Sequence, residues 1–455
     1  MGFRFTRAHG PQRWQCVTKQ GATVMDTAAN PQSATTPEIG LLRAPHEVLF
    51  GAGARHALGR VLSGMGSRAF VCTDPVIAGT LAFAEAISEI RDCGIEVAVF
   101  AATEPELPLG NVTVAVDTAR TVFPDAVVGF GGGSALDLAK LVALGLVTNA
   151  PLADFYGENC IPSKVLPVIA VPTTAGTGSE VTPVAVLTDP SRNSKVGISS
   201  PYLVPVAAVV DPELTLTCPP AVTAFSGIDA LTHAIESYSA RTHTLNLSHP
   251  LPVFVGANRL SAAFGLEAAG ALARNIVTAV TQGRDLGART AMAYGSMLAG
   301  LAFATAGTHL SHAIQYPVGD ATHTPHGLGV GLLLPYVMEA CLPTAVGQFA
   351  RIGEAMGVTE SGTGTDGAAV AAIRFVVTLR HRIGVPHTLS RIGLSRRDLP
   401  RIIEQAAAVG RLVSNAPGAD PRQLIAPVVE RAFAGTSDIF SNSDEIGSDE
   451  IGAPA

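Results

Sequence analysis

The chain changes texture at Pro219-Pro220, and this restricts it to two architectures in series. Before the proline pair, short apolar runs alternate with helical patterns: Ala69–Thr73, Glu96–Ala101, Ala126–Phe130, Val165–Val171 and Ala207–Val210. Alternation of this kind predicts an α/β layer on a mainly parallel sheet, because parallel strands require crossovers and are covered on both faces. After the proline pair the β-branched runs stop. Long Ala- and Leu-rich segments follow, among them Leu286–Ala306, Gly329–Met338 and Gly367–Arg382. These predict an all-α region. The expected organisation is an extension over 1–39, an α/β domain over 40–220, an all-helical domain over 221–436 and an acidic tail over 437–455.

Two segments in the α/β half carry chemistry. DAVVGFGGGSALDLAKLVAL reads as a buried strand, a glycine turn at Gly131–Gly133 and a helix opened by Ser134. Glycines admit a phosphate close to the backbone, and the free amides of a helix start attract anions. The spacing is not G-x-G-x-x-G, since Leu136 stands at the last position; an ordinary strand-to-helix turn fits it as well. The second segment, VLPVIAVPTTAGTGSEVT, ends a strand in a run of Thr, Gly and Ser. Hydroxyls and amides just past a strand's carboxyl end lie where open α/β sheets bind ligands. Asp74 follows the run Ala69–Thr73. There it is either an Asp-Pro turn or an acceptor for a ribose diol, which would favour NAD over NADP by repelling a 2′-phosphate.

The helical half carries Asp229 and His233 in GIDALTHAIESY, then His312 and His326 in SHAIQYPVGDATHTPHG. A spacing of four puts the first pair on one helix face. Pro317, Gly319 and Pro325 separate the second pair, so one helix cannot hold both. Thr324-Pro325 reads as an N-cap followed by Pro at the first helical position, with His312 near the end of the preceding helix. One carboxylate and three imidazoles suit iron(II) or zinc. Taken alone, Asp-x-x-x-His also fits a surface polar pair. His309 and His323 lie close enough to be decoys, with packing or surface roles favoured over a proton relay.

GGGSALDLAK, PTTAGTGSEVT, GIDALTHAIESY and HAIQYPVG…TPHG together resemble the iron-containing (group III) alcohol dehydrogenases, from about Glu47 to about Gly435. The resemblance implies a Rossmann-like N-terminal domain and an all-helical metal domain, a dehydroquinate synthase-like architecture with nicotinamide in the cleft. It implies Asp229, His233, His312 and His326 as ligands of Fe(II), or alternatively Zn(II). Gly131, Gly132, Gly133 and Ser134 match the pyrophosphate loop, with Asp137 in the same motif. Thr173, Thr174 and Thr182 match cofactor contacts, Lys195 a ribose contact and Asp74 the adenosine-ribose acid. NAD is expected ahead of NADP, and a homo-oligomer, taken as a dimer.

One position departs from the common pattern. Tyr316 stands four residues after His312, where another His is usual; it would contact substrate and nicotinamide without titrating near neutrality. Tyr there, and more weakly the insertion Arg241–Asn258, resemble the hydroxyacid–oxoacid transhydrogenase branch. The expected activity is an NAD- and metal-dependent alcohol dehydrogenase, or aldehyde or ketone reductase. Its substrate would be a small alcohol, aldehyde or hydroxy acid. The alternatives are a transhydrogenase that retains NAD and a non-redox dehydroquinate synthase-like lyase. The lyase needs a basic pocket, and few Lys or Arg surround Asp229 and His312 in sequence.

Composition removes other classes. A net charge of −7 leaves no electrostatic footprint for nucleic acid. Six scattered cysteines without C-x-x-C suit a reduced, cytoplasmic protein. The uncharged stretch Ala291–Gly307 reads as a buried core helix, so no membrane partner is expected. The first residues lack an apolar signal-peptide core, and Met25 offers an alternative start. The repeated S-D-E-I-G near the C-terminus reads as a mobile acidic tail.

Overall fold

The structure, a computed structural model, describes residues 39–440 except 193. The start-site question at Met25 and the acidic tail beyond 440 therefore lie outside the described residues. Strands β1 (Glu47–Phe50), β2 (Arg68–Cys72), β3 (Glu96–Phe100), β4 (Ala126–Gly131), β6 (Val168–Pro172) and β9 (Ala207–Val210) build one sheet, ordered β1-β9-β6-β4-β2-β3. Every pairing in it is parallel. The covering helices are α1 (Leu58–Ser63), α2 (Pro75–Ala78), α3 (Leu81–Asp92), α4 (Leu109–Val122) and α5 (Gly133–Gly145). Strands β4 and β6 are buried along their whole length, which is why their sequences are apolar runs without alternation.

A second sheet was not expected. It holds β5 (Gly157–Glu158), β7 (Val184–Asp189) and β8 (Ser194–Ser199), in the order β5-β8-β7, with β7 and β8 antiparallel. β8, with the sequence SKVGIS, has little strand propensity of its own; its pairing with β7 supplies the order.

Among the described residues from Pro220 onward, all regular structure is helical: α6 (Pro220–Ser239), α7 (Arg259–Thr281), α8 (Leu286–Ala306), α9 (Leu310–Thr322), α10 (His326–Met356), α11 (Thr365–Arg382), α12 (Leu399–Ala408), α13 (Gly410–Asn415) and α14 (Arg422–Ala434). Small residues let these helices approach closely. A Cβ on Gly295 of α8 would lie 2.6 Å from Leu272 of α7. Among the described residues only α10 is long and apolar enough to cross a membrane, and 72% of its apolar window is buried against the rest of the protein.

Three expected helix boundaries shift. α5 begins at Gly133 with Gly132 at the cap position, so Ser134 sits inside the helix and does not cap it. α8 ends where Gly307 turns to φ 75°, and α9 starts at Leu310. His312 therefore occupies the first turn of α9 and not the end of a preceding helix. Pro325 takes the cap position of α10, His326 is its first residue, and the Thr324 hydroxyl pairs with Thr322.

Candidate active site and metal centre

α6 is a twenty-residue helix whose inner face carries Asp229, His233 and Glu236, spaced by four and three and all buried. His312 comes from the first turn of α9 and His326 from the first residue of α10. The Nε2 atoms of His233, His312 and His326 stand 3.7, 3.7 and 3.9 Å from one oxygen, Asp229 Oδ1. These separations are too long for hydrogen bonds. They are close to the edges, about 3–3.5 Å, of a polyhedron with metal–ligand distances of roughly 2.1 Å.

Asp229 Oδ1 and His312 Nε2 are buried and have no hydrogen-bond partner. Orphaned buried polar atoms are costly, and a cation between them would satisfy both. Burial pushes the Asp229 carboxyl up to about 7, opposed by His312 and Lys195. Burial, then neighbouring charge, holds His233 and His326 well below the usual imidazole range. Neutral imidazoles with free lone pairs around one carboxylate fit a divalent cation.

Sequence reasoning missed Glu236, although its position seven residues after Asp229 placed it on the same helix face. Its carboxylate accepts from the amides of His309 (2.8 Å) and Ser311 (2.6 Å) and meets His312 Nδ1 at 2.7 Å. Burial alone would raise its pKa; His309, His312 and these hydrogen bonds outweigh that and hold it low. An ionised partner at Nδ1 puts the ring proton there and turns the Nε2 lone pair toward Asp229. His309 packs against Glu236 and Ser239 and does not enter the cluster. His323 is exposed at the left-handed end of α9.

The cluster opens into a cavity of about 290 Å³. Its opposite wall includes Gly133, Ser134, Asp137, Thr177, Ser179, Thr182, Lys195 and Glu106. The remaining predicted cofactor residues do not line this cavity; they lie along the carboxyl edge of three adjacent strands, β2, β4 and β6. Asp74 follows β2, Gly131 ends β4, and the Thr173 amide donates to the Gly131 carbonyl at 3.0 Å. Thr174 lies beside Gly132, its Cγ2 3.6 Å from where a Cβ would be. Asp74 Oδ1 caps α2 by accepting from Val76 and Ile77, while Oδ2 faces Gly131.

Asp137 has a different occupation from a bare cofactor contact. Its Oδ1 accepts from Ser179 Oγ at 2.6 Å and its Oδ2 from the Val186 amide at 2.9 Å. The buried Lys140 ammonium donates to Ser179 Oγ, the Thr182 carbonyl and the Val184 carbonyl. Together they brace this wall of the cavity. Lys195 pairs with Glu106, and both line the cavity.

Tyr316 is one turn along α9 from His312, its ring centroid 6.2 Å from that of His326; burial raises its phenol pKa. Phe303 stacks on His233 at 4.3 Å between centroids. Phe254, Thr308 and Arg411 complete the wall. No local motif marks these four.

Residues 45–212 match the family described as iron-containing alcohol dehydrogenase, and residues 223–433 match the C-terminal part of that family. The long-chain-alcohol dehydrogenase 1 of Geobacillus thermodenitrificans is 37% identical over 80% of this chain and 89% of its own length. The NAD-dependent methanol dehydrogenase of Bacillus methanolicus is 33% identical over 80% of this chain and 92% of its own. A solved 1,3-propanediol oxidoreductase superposes with a TM-score of 0.81 at 33% identity, over 87% of this chain and all of that one.

Proposed function

This chain belongs to the iron-containing alcohol dehydrogenase family, and from that premise we propose that it interconverts a small alcohol and its aldehyde or ketone, with NAD as hydride acceptor and donor. It is an oxidoreductase. The observation that carries the reading is the convergence of Asp229, His233, His312 and His326 on one wall of a cavity whose other wall is the start of α5. The similar proteins named above are dehydrogenases or oxidoreductases of alcohols, which favours this reading over the transhydrogenase and lyase alternatives.

Asp229, His233, His312 and His326 would hold the cation, iron(II) in this proposal. When bound, it supplies Lewis acidity to the substrate oxygen, lowering the pKa of an alcohol or polarising a carbonyl. The chain's own groups do the rest. Glu236 keeps His312 in the ligating tautomer. Phe303 shields His233 from water, and the Tyr316 hydroxyl orients the substrate. The amides at Gly133 and Ser134 attract the cofactor's pyrophosphate, as helix starts do. Asp74 Oδ2, free of the capping role of Oδ1, is available to the adenosine ribose and repels a 2′-phosphate, which supports NAD over NADP. A homodimer in the cytoplasm, with domains dividing near residue 220, completes the proposal.

The test is a panel of alcohols and aldehydes assayed with NAD and NADP after anaerobic loading with iron(II) or zinc. NAD-linked turnover that depends on the metal is expected. A fully loaded protein that turns over no alcohol or aldehyde with either cofactor would overturn the reading.

A further inference from the structure

The substrate end of the cavity holds one cation whose charge has no fixed counterpart. Arg411, on α13, lines the cavity together with Phe254, Thr308 and Tyr316. Its guanidinium carbon sits 4.2 Å from the Phe254 ring centroid. Among the described residues it forms no ion pair and donates no side-chain hydrogen bond; the carboxylate that acts on it, Glu158, does so from a distance. Glu158 is occupied, accepting from the amides of Val253 and Phe254. Partial desolvation by its neighbours lowers its pKa, and the side chain as a whole is exposed to solvent.

Arg411 and Phe254 are held in place. Arg43 donates to the carbonyls of Pro252 and Val253, and the Val255 amide donates to Thr305. A Cβ on Gly256 would lie 2.1 Å from the Arg241 carbonyl, so only glycine permits this loop's return. On α13, Asn415 Nδ2 donates to the carbonyls of Ala306 and Thr308, at 2.9 and 3.1 Å. That ties the helix bearing Arg411 to the segment leading into His312. A second cavity of about 350 Å³ lies behind and shares Phe254 and Arg411 as its wall. The insertion 241–258 thus fixes the far limit of the substrate space.

We propose that Arg411 recognises an anionic group on the substrate, so that the enzyme acts on short alcohols or aldehydes bearing a carboxylate or sulfonate at the end opposite the reacting carbon. This rests on the dehydrogenase reading above. Arg411 is exposed and, among the described residues, forms no ion pair, so its guanidinium is available to an anion that enters the cavity. The planar guanidinium offers paired donors that match an oxyanion, and Phe254 fixes its plane from one side. The oxygen at the other end of such a substrate faces the four-donor cluster. The cavity of about 290 Å³ also faces the cofactor wall, which limits the chain between the two ends to a few carbons.

The experiment compares iron-loaded parent, Arg411→Met and Arg411→Lys on 4-hydroxybutanoate, 3-hydroxypropane-1-sulfonate and 1-butanol. The parent should prefer at least one anion over 1-butanol in kcat/KM, and the stronger arm identifies carboxylate or sulfonate. Arg411→Met should lower that preference by about 10–100-fold, the scale of one charge-assisted contact, and Arg411→Lys should keep part of it. Calorimetry with butanoate, which is not a substrate, reads the site without turnover: binding should weaken in Arg411→Met at unchanged metal content. Equal preference in parent and Arg411→Met, with equal butanoate binding, overturns the proposal. Turnover of 1-butanol without Arg411-dependent butanoate binding sinks this subsite and leaves the dehydrogenase. Arg411-dependent binding without any NAD-linked turnover does the reverse.

Discussion

Asp229 Oδ1 is the atom around which the candidate ligand cluster is arranged, since three imidazole nitrogens approach it and no hydrogen bond among the described residues satisfies it. His326→Ala should therefore lose most bound metal and activity, while His323→Ala, altering an exposed side chain, should retain both. Elemental analysis decides; full occupancy in His326→Ala would break the ligand assignment. A second buried acid gives a pH signature. Burial pushes Glu180 up to about 7, partly opposed by Lys140. In the unfolded chain it loses its proton near 4.5, so folding takes up a proton between these values. Its contribution to stability is complete below about 4.5, is lost as pH rises toward 7 and stays lost above. Glu180→Gln should match the parent at pH 4 and exceed it at pH 8 by about 3 kcal/mol. Denaturant melts at both pH values measure this, and a gap independent of pH would show that Glu180 does not titrate in this way.

Helix placement turns four separate residues into a site. The start of α10 presses onto α6 so tightly that a Cβ on Gly327 would lie 2.1 Å from the Phe225 carbonyl and 3.1 Å from Asp229 Cβ. Glycine there lets His326, its neighbour, reach Asp229. Gly327→Ala should push the two helices apart, cut metal occupancy severalfold and cost about 1–3 kcal/mol, although no ligand is changed. Metal content measured beside circular dichroism tests this; normal occupancy would mean that α10 can shift without moving His326. The same elements show what was legible. β4, β6 and β9 announced themselves as apolar runs, and α8 as a long Ala-rich segment, because burial on all sides leaves a local record. β7 and β8 did not, since one face of β7 is only half-buried and β8 takes its order from its partner. The start of α9 was misplaced because its boundary depends on Gly307 at φ 75°.

The largest apolar cluster among the described residues does not stop at the end of the sheet. Val181, Ala208 and Val210 belong to the same cluster as Leu231, Leu272 and Leu301 of the helices. Gly178 and Gly300 touch backbone to backbone, and a Cβ on Gly178 would lie 2.6 Å from Gly300 Cα. This seats the Thr, Gly and Ser run that follows β6 directly on α8. A core shared in this way predicts one cooperative thermal transition for residues 39–440. Calorimetry should show a single peak, with the enthalpy from its area equal to the enthalpy from its shape. Two resolved peaks would mean that the sheet and the helices unfold separately.

What the sequence determined by itself is whatever short-range pattern can encode. The spacing of Asp229 and His233, the glycine run after a buried strand, and the change of texture at Pro219-Pro220 each follow from periodicity within a few turns. Donor chemistry and fold class were legible for that reason. Tertiary structure decided which groups face each other across large sequence distances. Glu236 became the orienting partner of His312, and Asp137 was drawn into bracing Ser179 and Val186. Arg411 and Phe254, from segments with no motif, met on the wall of the cavity. Such contacts depend on how helices and loops pack, and packing couples residues whose separation along the chain leaves no periodic trace.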